Sequence, residues 1–284
     1  MSPASIGGED RERKLIMAII SNGKQFHLKT KHTSYIFTRY KDHYLTHIYW
    51  GDVLENEMDC IDFPDAFIYS RANAFHVPMD STNQTFISDL QLEFSVVGSG
   101  DYRTPMLSAL CPNASNVLVP KFDSYRIFDG KPALAGLPAT YAQSEEEAQT
   151  LEITLKDHMT GLQVILSYTV FEAYDMIARH ARYVNGGTGE IRLLSAQSAI
   201  VDFYGQNFDV VHLQGDWARE RSIEKVPVGH GVFSIDSKRG MSSHMHNPFL
   251  VLAEHGASEY QGRVYGFSLV YSGSFYAFAE GNSC

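Results

Sequence analysis

The chain has 284 residues, of which 44% are hydrophobic and 20% are charged, and its formal net charge at pH 7 is −10. This composition is typical of a globular protein and excludes a largely disordered chain. The acidic balance, with no long basic run, argues against a nucleic-acid partner. No stretch approaches the ~18 consecutive apolar residues of a membrane span, so no membrane partner is expected. The apolar run LIMAII near the N-terminus is too short for a signal-peptide core.

The predicted elements are strands. Residues 1–16 are polar, charged and without periodicity, so we expect a disordered leader before a domain that spans residues 17–284. Further along, short runs rich in aromatic residues alternate with the period of two of half-buried strands. These runs are SYIFTRY, HYLTHIYW, LEITLKD, LQVILSYTVFEAYDMIARHARYVN and VYGFSLVYSGSFYAFAE. Turn-forming residues separate the strands, and both DHMTG at 157–161 and NGGTGE at 185–190 predict hairpins.

Helices contribute little to the pattern. The one helix candidate, SEEEAQT at 144–150, is short enough to be a loop. Because strands and helices do not alternate, the pattern argues against a Rossmann sheet and a TIM barrel. Many antiparallel strands over about 250 residues predict an all-β protein built as a two-sheet sandwich. One long connection, residues 52–83, interrupts the strands, and loops of this length in a compact domain are usually functional or mobile.

Cysteines and histidines are the residues of this chain that could bind a transition metal. Cys60, Cys111 and Cys284 are odd in number and widely spaced, so neither a disulfide framework nor a zinc finger is indicated, and a reducing cytoplasm is the expected location. His244 and His246 in RGMSSHMHNPF would share one face of a strand and could form half of a zinc site. The alternative, which we favour, is a pair of hydrogen-bonded histidines on a half-buried strand. We therefore expect no metal and no cofactor.

Motifs for catalysis are sparse, but one short segment could bind a ligand. The chain has no GxSxG elbow, no P-loop and no HExxH motif. GDWARERS at 215–222 holds Trp217, one of only two tryptophans, beside arginines and acidic residues. One interpretation is a core tryptophan flanked by surface ion pairs. The other is a sugar platform, in which the indole face meets the C–H face of a pyranose and charged neighbours bind its hydroxyl groups.

Around this segment the sequence resembles the N-terminal domain of the α-galactosidases of glycoside hydrolase family 36. The resemblance is carried by GDWARERSIEKVPVGHGVFSIDSKRGMSSHMHNPF, by YRIFDGKPALAGLPATYAQ, by GSGDYRTP and by AIISNGKQFHLKTKHTSYIF. It runs from about Met17 to Glu280. It implies a large antiparallel β-supersandwich of the galactose-mutarotase-like type, with few short helices, that precedes a catalytic (β/α)8 barrel.

The resemblance also implies an activity. Members of the family remove terminal α-linked galactose from melibiose and raffinose-type oligosaccharides with retention of configuration, using two aspartates of the barrel and no metal or cofactor. Neither catalytic motif occurs in these 284 residues. We therefore expect a domain cut off before the barrel, without catalytic residues of its own and inactive alone. A homo-oligomer, a tetramer in the complete enzyme, is the expected assembly. A stand-alone carbohydrate-binding module and a purely structural domain remain alternatives.

Two substrate-binding positions follow from the family pattern. The tryptophan of the G-x-W-x-R-E-R block contributes to sugar binding in the family, and it corresponds to Trp217. An aspartate in the long loop after YWG does likewise, and Asp65 in FPDAF is the nearest match, with Asp59 and Asp62 as rivals. The chain departs from the pattern at Asp216, where the family commonly has a small residue. The blocks therefore imply an α-galactoside oligosaccharide as partner.

Overall fold

The structure, a computed structural model, describes residues 18–41, 43–55, 87, 90–98, 100–203, 205 and 207–281. These residues form strands joined by turns, with two single-turn 3-10 helices at Glu145–Glu147 and Glu172–Tyr174. The strands are β1 (Ile19–Ser21), β2 (Gln25–Lys29), β3 (Thr33–Tyr40), β4 (Tyr44–Asp52), β5 (Leu107–Leu110), β6 (Lys121–Asp129), β7 (Gln149–Lys156), β8 (Leu162–Phe171), β9 (Met176–Asn185), β10 (Arg192–Ala196), β11 (Phe208–Asp216), β12 (Arg219–Pro227), β13 (Gly231–Ser237), β14 (His246–Glu254), β15 (Val264–Ser268) and β16 (Phe275–Gly281).

The strands assemble into antiparallel sheets. Three sheets have four strands each, in the orders β1-β2-β3-β4, β6-β7-β8-β9 and β12-β11-β14-β15, and two pairs, β10-β5 and β13-β16, complete the described part. Every pairing between these strands is antiparallel. The all-β antiparallel prediction is confirmed. Within the described part of the chain, no helix has the length and apolar character needed to cross a membrane.

The DHMTG turn forms the predicted hairpin between β7 and β8. The carboxylate of Asp157 accepts hydrogen bonds from the backbone N–H and the hydroxyl of Thr160, which closes the turn from inside. Gly161 follows with φ +78°, a conformation that favours glycine. Local side-chain chemistry is therefore sufficient to define this turn, which explains why the sequence predicted it correctly.

The NGGTGE segment does not form a hairpin, and this prediction is wrong. The segment folds back on itself, because the Asn185 side chain accepts a hydrogen bond from Gly187 N–H and donates one to Gly189 O. However, the next strand, β10, pairs with β5 rather than with β9. The turn chemistry was recognised correctly, but the choice of partner strand depends on residues about 80 positions earlier in the chain.

The long run from Leu162 to Asn185 is two strands rather than one. β8 and β9 pair with each other across a single 3-10 turn, and Asp175 closes that turn in the left-handed conformation at φ 50°. The Asp175 carboxylate also accepts hydrogen bonds from Thr30 Oγ1 and His32 N–H, both at 2.8 Å. This aspartate therefore joins the β2–β3 turn to the β8–β9 turn.

Three clusters of buried hydrophobic side chains occur among the described residues, and the two largest form the main cores of the domain. The larger core contains fully buried side chains of the first two four-stranded sheets, including Phe26, Phe37, Leu151 and Tyr168. The smaller core lies where β11, β13, β14, β15 and β16 converge, and it contains Val210, Ile235, Leu250, Leu252, Tyr265 and Phe275. Trp50, at the end of β4, packs against both cores, and its ring lies 4.8 Å from that of Tyr265. Trp50 therefore links the two cores.

One carboxylate is enclosed in the larger core. Glu93 is fully buried, and it accepts hydrogen bonds from the hydroxyls of Tyr35 at 2.5 Å and Tyr168 at 2.8 Å. His47 Nδ1 lies 3.1 Å away, and the Arg179 guanidinium lies 3.0 Å away. Burial alone would raise the pKa of Glu93, but the Arg179 charge and the hydrogen bond with His47 outweigh it and leave that pKa below its usual value. The enclosed group is therefore an ion with a complete set of partners.

Candidate functional site

Trp217 lies at the tip of the β11–β12 hairpin and points into solvent. Asp216 and Arg219 are the last paired residues, so Trp217 and Ala218 form the two-residue turn between them. The tryptophan is 83% exposed. Over the described ranges, its indole has no hydrogen-bond partner. The interpretation as a core tryptophan is wrong, because the register of the hairpin places this side chain beyond the last strand pair, where none of the described elements covers it.

The backbone of the hairpin is held in a defined shape. A register shift occurs between Gln214 and Asp216, and at this bulge a Cβ on Gly215 would lie only 2.2 Å from the carbonyl oxygen of Arg219. Glycine is therefore required there for the strands to approach. In the turn itself, Ala218 adopts the left-handed conformation at φ 61°. Its N–H donates to the carboxylate of Glu220 at 3.1 Å. These features hold the Trp217 backbone in place.

The two histidines of RGMSSHMHNPF do not share a strand. His246 is the first residue of β14 and pairs with Gln214 of β11, whereas His244 lies in the bend before the strand. The prediction that both project from one strand face is wrong, because the strand begins two residues later than the sequence pattern indicated. His244 instead faces Asp216, with 3.5 Å between Nε2 and Oδ1. In the parts of the chain that the structure covers, no three histidine, cysteine or carboxylate side chains are arranged to hold a metal ion.

A further histidine, which the sequence pattern did not single out, lies in the same sheet as His246. His212 of β11 is buried, with its ring 5.8 Å from that of His246 and 5.2 Å from that of Phe233. Its Nε2 lies 3.4 Å from the Glu224 carboxylate, which is half exposed. Burial lowers the pKa of His212, although Glu224 opposes this effect. The alternation of Val210, His212 and Gln214 along β11 was the signal that could have identified this inward-facing imidazole.

Other candidate residues lie outside the described part of the chain. Asp65 and the two alternatives Asp59 and Asp62 belong to residues 56–86, all of which lie outside the described residues. The leader predicted for residues 1–16 lies outside it as well. Of the three cysteines, Cys111 is described, and it is a buried free thiol.

A broad open cleft with a volume of about 1500 Å³ lies elsewhere on the domain. Its wall combines apolar side chains, such as Phe203 and Phe275, with charged ones. Arg103 donates to Asp202 and to Asp101 at 2.9 Å each, and it stands beside the cleft. Burial raises the pKa of Asp202, although the Arg103 charge opposes this effect. Trp217 does not line this cleft, so the exposed tryptophan and the cleft are separate features.

Comparison with solved structures defines the class of protein. The domain superimposes with a TM-score of 0.86 on the crystal structure of the GH36 α-galactosidase AgaB from Geobacillus stearothermophilus, at 41% identity over 94% of this chain and 36% of that chain. A variant of AgaA from the same organism, crystallised with raffinose, gives the same TM-score at 41% identity, over 92% of this chain and 36% of that chain. The fold is thus that of a domain found in these glycosidases.

Sequence comparison then identifies the family. Residues 43–284 match the model of the glycosyl hydrolase family 36 N-terminal domain, and the chain belongs to this family. It is 43% identical to the α-galactosidase AgaA of Geobacillus stearothermophilus over 90% of this chain, and 40% identical to the bifunctional α-galactosidase/sucrose kinase AgaSK of Mediterraneibacter gnavus over 93% of it. The chain spans about a third of the length of these curated relatives, 35% of the first and 28% of the second.

Proposed function

We propose that this chain acts as the N-terminal domain of an α-galactosidase that removes terminal α-galactose from raffinose-type oligosaccharides, and that Trp217 binds the saccharide. The observation that carries the binding role is the 83% exposure of Trp217 on a hairpin whose backbone is fixed. An exposed indole on a turn of defined shape presents a flat apolar face on which the C–H face of a sugar can stack. Raffinose and stachyose complexes of AgaA support the choice of ligand.

The chemistry of retaining hydrolysis separates the catalytic residues from the substrate-binding residues of this chain. Retaining hydrolysis needs a nucleophilic carboxylate and an acid/base roughly 5 Å apart across the sugar. We place that pair outside these 284 residues, so the chain alone hydrolyses no α-galactoside. Its contribution is to binding, by stacking of the Trp217 indole on the sugar and by hydrogen bonds from galactose hydroxyls to Asp65. A hydrogen bond to a charged group is worth about 1.5–3 kcal/mol.

The test compares variants in a complete α-galactosidase that carries this domain. For Trp217→Ala, and separately for Asp65→Ala, we expect kcat/KM for raffinose to fall about tenfold or more, which corresponds to roughly 1.4 kcal/mol of lost binding. The melting temperature should not change. Trp50→Phe is the matched control, because Trp50 packs between the two cores and should affect stability without changing kcat/KM. Normal kinetics combined with lower stability for Trp217→Ala would contradict the binding role.

A carbohydrate-binding function without catalysis is the second candidate, and one observation favours it. Trp217 is presented by the β11–β12 hairpin of this chain itself, so a galactoside could stack on it with no other domain present. A fluorescence titration of the 284-residue chain with raffinose, repeated for Trp217→Phe and Trp50→Phe, tests this. A saturable change that disappears only in Trp217→Phe supports independent binding, and its absence assigns Trp217 to a site completed elsewhere.

We also propose a cytoplasmic location and assembly as a homo-oligomer, a tetramer in the complete enzyme. The free thiol of Cys111 fits a reducing compartment. Around β15 and β16 the apolar side chains of Val264, Val270 and Tyr276 are 47–60% exposed, which fits contact with another domain or subunit. Cell fractionation and analytical ultracentrifugation test the two proposals, and a monodisperse monomer of the complete enzyme would contradict the second.

A further inference from the structure

Asp216 is the immediate neighbour of Trp217, and its two carboxylate oxygens have different surroundings. Oδ1 accepts the backbone N–H of Trp217 at 2.8 Å and lies 3.5 Å from Nε2 of His244. Across the described ranges, no protein group hydrogen-bonds to Oδ2. The side chain is 73% exposed and precedes Trp217 in the chain, so this second oxygen is open to a ligand near the exposed indole. One oxygen is anchored, and the other is open.

We propose that Asp216 is a specificity-determining residue, whose free oxygen accepts hydrogen bonds from the hydroxyl groups of the sugar that stacks on Trp217. The inference rests on the proposed role of Trp217. An indole face contacts only the apolar C–H face of a ring and distinguishes sugars poorly. A single carboxylate oxygen has two lone pairs, and it can therefore accept from two neighbouring hydroxyls at the edge of the same ring. Trp217 and Asp216 together recognise a hydroxylated pyranose rather than any flat apolar ligand.

The anchoring of Oδ1 is what makes this contact selective. A freely rotating carboxylate on an exposed turn would lose rotamer entropy on binding, which reduces the net gain. Here the hydrogen bond from Trp217 N–H fixes the carboxylate relative to the backbone that carries the indole. The close approach of the strands at Gly215 fixes the backbone that carries both side chains. His244 is a positioning residue in this arrangement, because it acts on the sugar only through Asp216.

Neighbouring charged residues are less suited to this role. The Glu220 carboxylate also accepts one backbone N–H, from Ala218, through Oε1. However, Glu220 follows Arg219, the strand partner of Asp216, so it projects from the opposite face of the hairpin. Arg219 and Arg221 carry only donors, so they can bind hydroxyl oxygens but cannot accept hydroxyl hydrogens. Asp216 is thus the carboxylate with open acceptor capacity next to the ring of Trp217.

The experiment combines one substitution in the protein, Asp216→Asn, with the removal of one hydroxyl group from the substrate, and it compares the separate effects with the joint effect. In the complete enzyme, Asp216→Asn keeps the size of the side chain and the oxygen that accepts Trp217 N–H, but replaces the open acceptor with an NH2 donor. KM and kcat are measured for melibiose and for each of its monodeoxy analogues. We expect the substitution to raise the KM for melibiose about tenfold, with little change in kcat. We also expect it to cause no further loss for the analogue that lacks the contacted hydroxyl. Asp123→Asn, at an exposed aspartate on β6 of a different sheet, is the matched control.

The outcomes separate this inference from the proposed function. One contrary outcome is that Trp217→Ala raises KM but Asp216→Asn leaves it unchanged. Another is that the effects of the substitution and of the missing hydroxyl on KM are additive for every analogue. In either case Asp216 does not determine specificity, and the proposed role of Trp217 is unaffected. If Trp217→Ala itself leaves kcat/KM unchanged, both proposals are overturned. His244→Ala should reproduce a smaller part of the Asp216→Asn effect on KM, whereas a loss of kcat alone would contradict a positioning role.

Discussion

Glu93 and Asp216 are both carboxylates next to aromatic rings, but their hydrogen-bonding states are opposite. Glu93 is fully buried, and both of its oxygens accept from tyrosine hydroxyls, with Arg179 balancing the charge. Asp216 is largely exposed and has one oxygen without a protein partner in the described part of the chain. The comparison teaches that unused hydrogen-bonding capacity, rather than residue type, distinguishes a carboxylate that can recognise a ligand from one that holds the fold together.

The largest expected effect is a loss of stability on substitution of the buried carboxylate, Glu93. Glu93→Gln removes the negative charge and leaves the Arg179 guanidinium buried without a counter-ion. Removal of one partner from a buried ion pair costs about 3–5 kcal/mol, and we expect the free energy of unfolding to fall by that amount in urea denaturation. Glu259→Gln, at an exposed position, is the control and should have almost no effect. A similar loss for both variants would show that Glu93 contributes no more than a surface charge.

A smaller effect is expected from a change in the hairpin that carries the exposed carboxylate, Asp216. Gly215→Ala places a Cβ against the carbonyl oxygen of Arg219, so the hairpin must shift. Overpacking of this kind costs about 1–3 kcal/mol. Because the hairpin tip carries Trp217 and Asp216, we expect raffinose binding to weaken as well. Gly229→Ala is the matched control, since an added Cβ there has no neighbour within 4 Å. Unchanged stability and binding in Gly215→Ala would mean that the bulge does not hold the turn.

The smallest expected effect is a pH dependence that originates at His212. Burial lowers the pKa of this imidazole in the folded state. Between that lowered pKa and the unfolded value near 6.5, the unfolded chain binds more protons than the folded one, so stability falls as the pH decreases. Above about pH 6.5 the contribution is complete. Denaturation midpoints measured from pH 7.5 down to pH 5 should fall more steeply for the wild type than for His212→Leu. Parallel slopes would assign the dependence to other groups.

Local chemistry could be predicted from the sequence, whereas distant pairing could not. The DHMTG hairpin was predicted because Asp157, Thr160 and Gly161 define it among themselves. The NGGTGE hairpin was not formed, because β10 finds its partner in β5, far back in the chain. The sequence was also silent about Glu93, whose partners Tyr35 and Tyr168 lie 58 and 75 residues away. A carboxylate in an apolar run gives no sign of contacts at such separations.

The candidate site was predictable in identity but not in geometry. The family pattern singled out Trp217, but its residues alone allowed both a core and a surface position. The register of β11 against β12, with its bulge at Gly215, decides between them, and no residue type encodes that register alone. The pair formed by Asp216 and His244 could not be foreseen either, because the sequence pattern placed His244 within a strand and the strand starts at His246.

Trp50 is covered by residues that are synthesised much later in the chain, so the completion of its packing depends on the order of synthesis. The Tyr265 hydroxyl donates to the carbonyl oxygen of Trp50 across 215 residues of chain, and the Phe267 ring packs at 5.7 Å. At a synthesis rate of roughly 5–20 residues per second, these partners emerge on the order of 10–40 s after Trp50 itself. During that interval one side of the indole lacks its cover. A nascent chain stalled before position 265 therefore exposes an apolar surface to chaperones at the end of β4, although most of its first core is already synthesised.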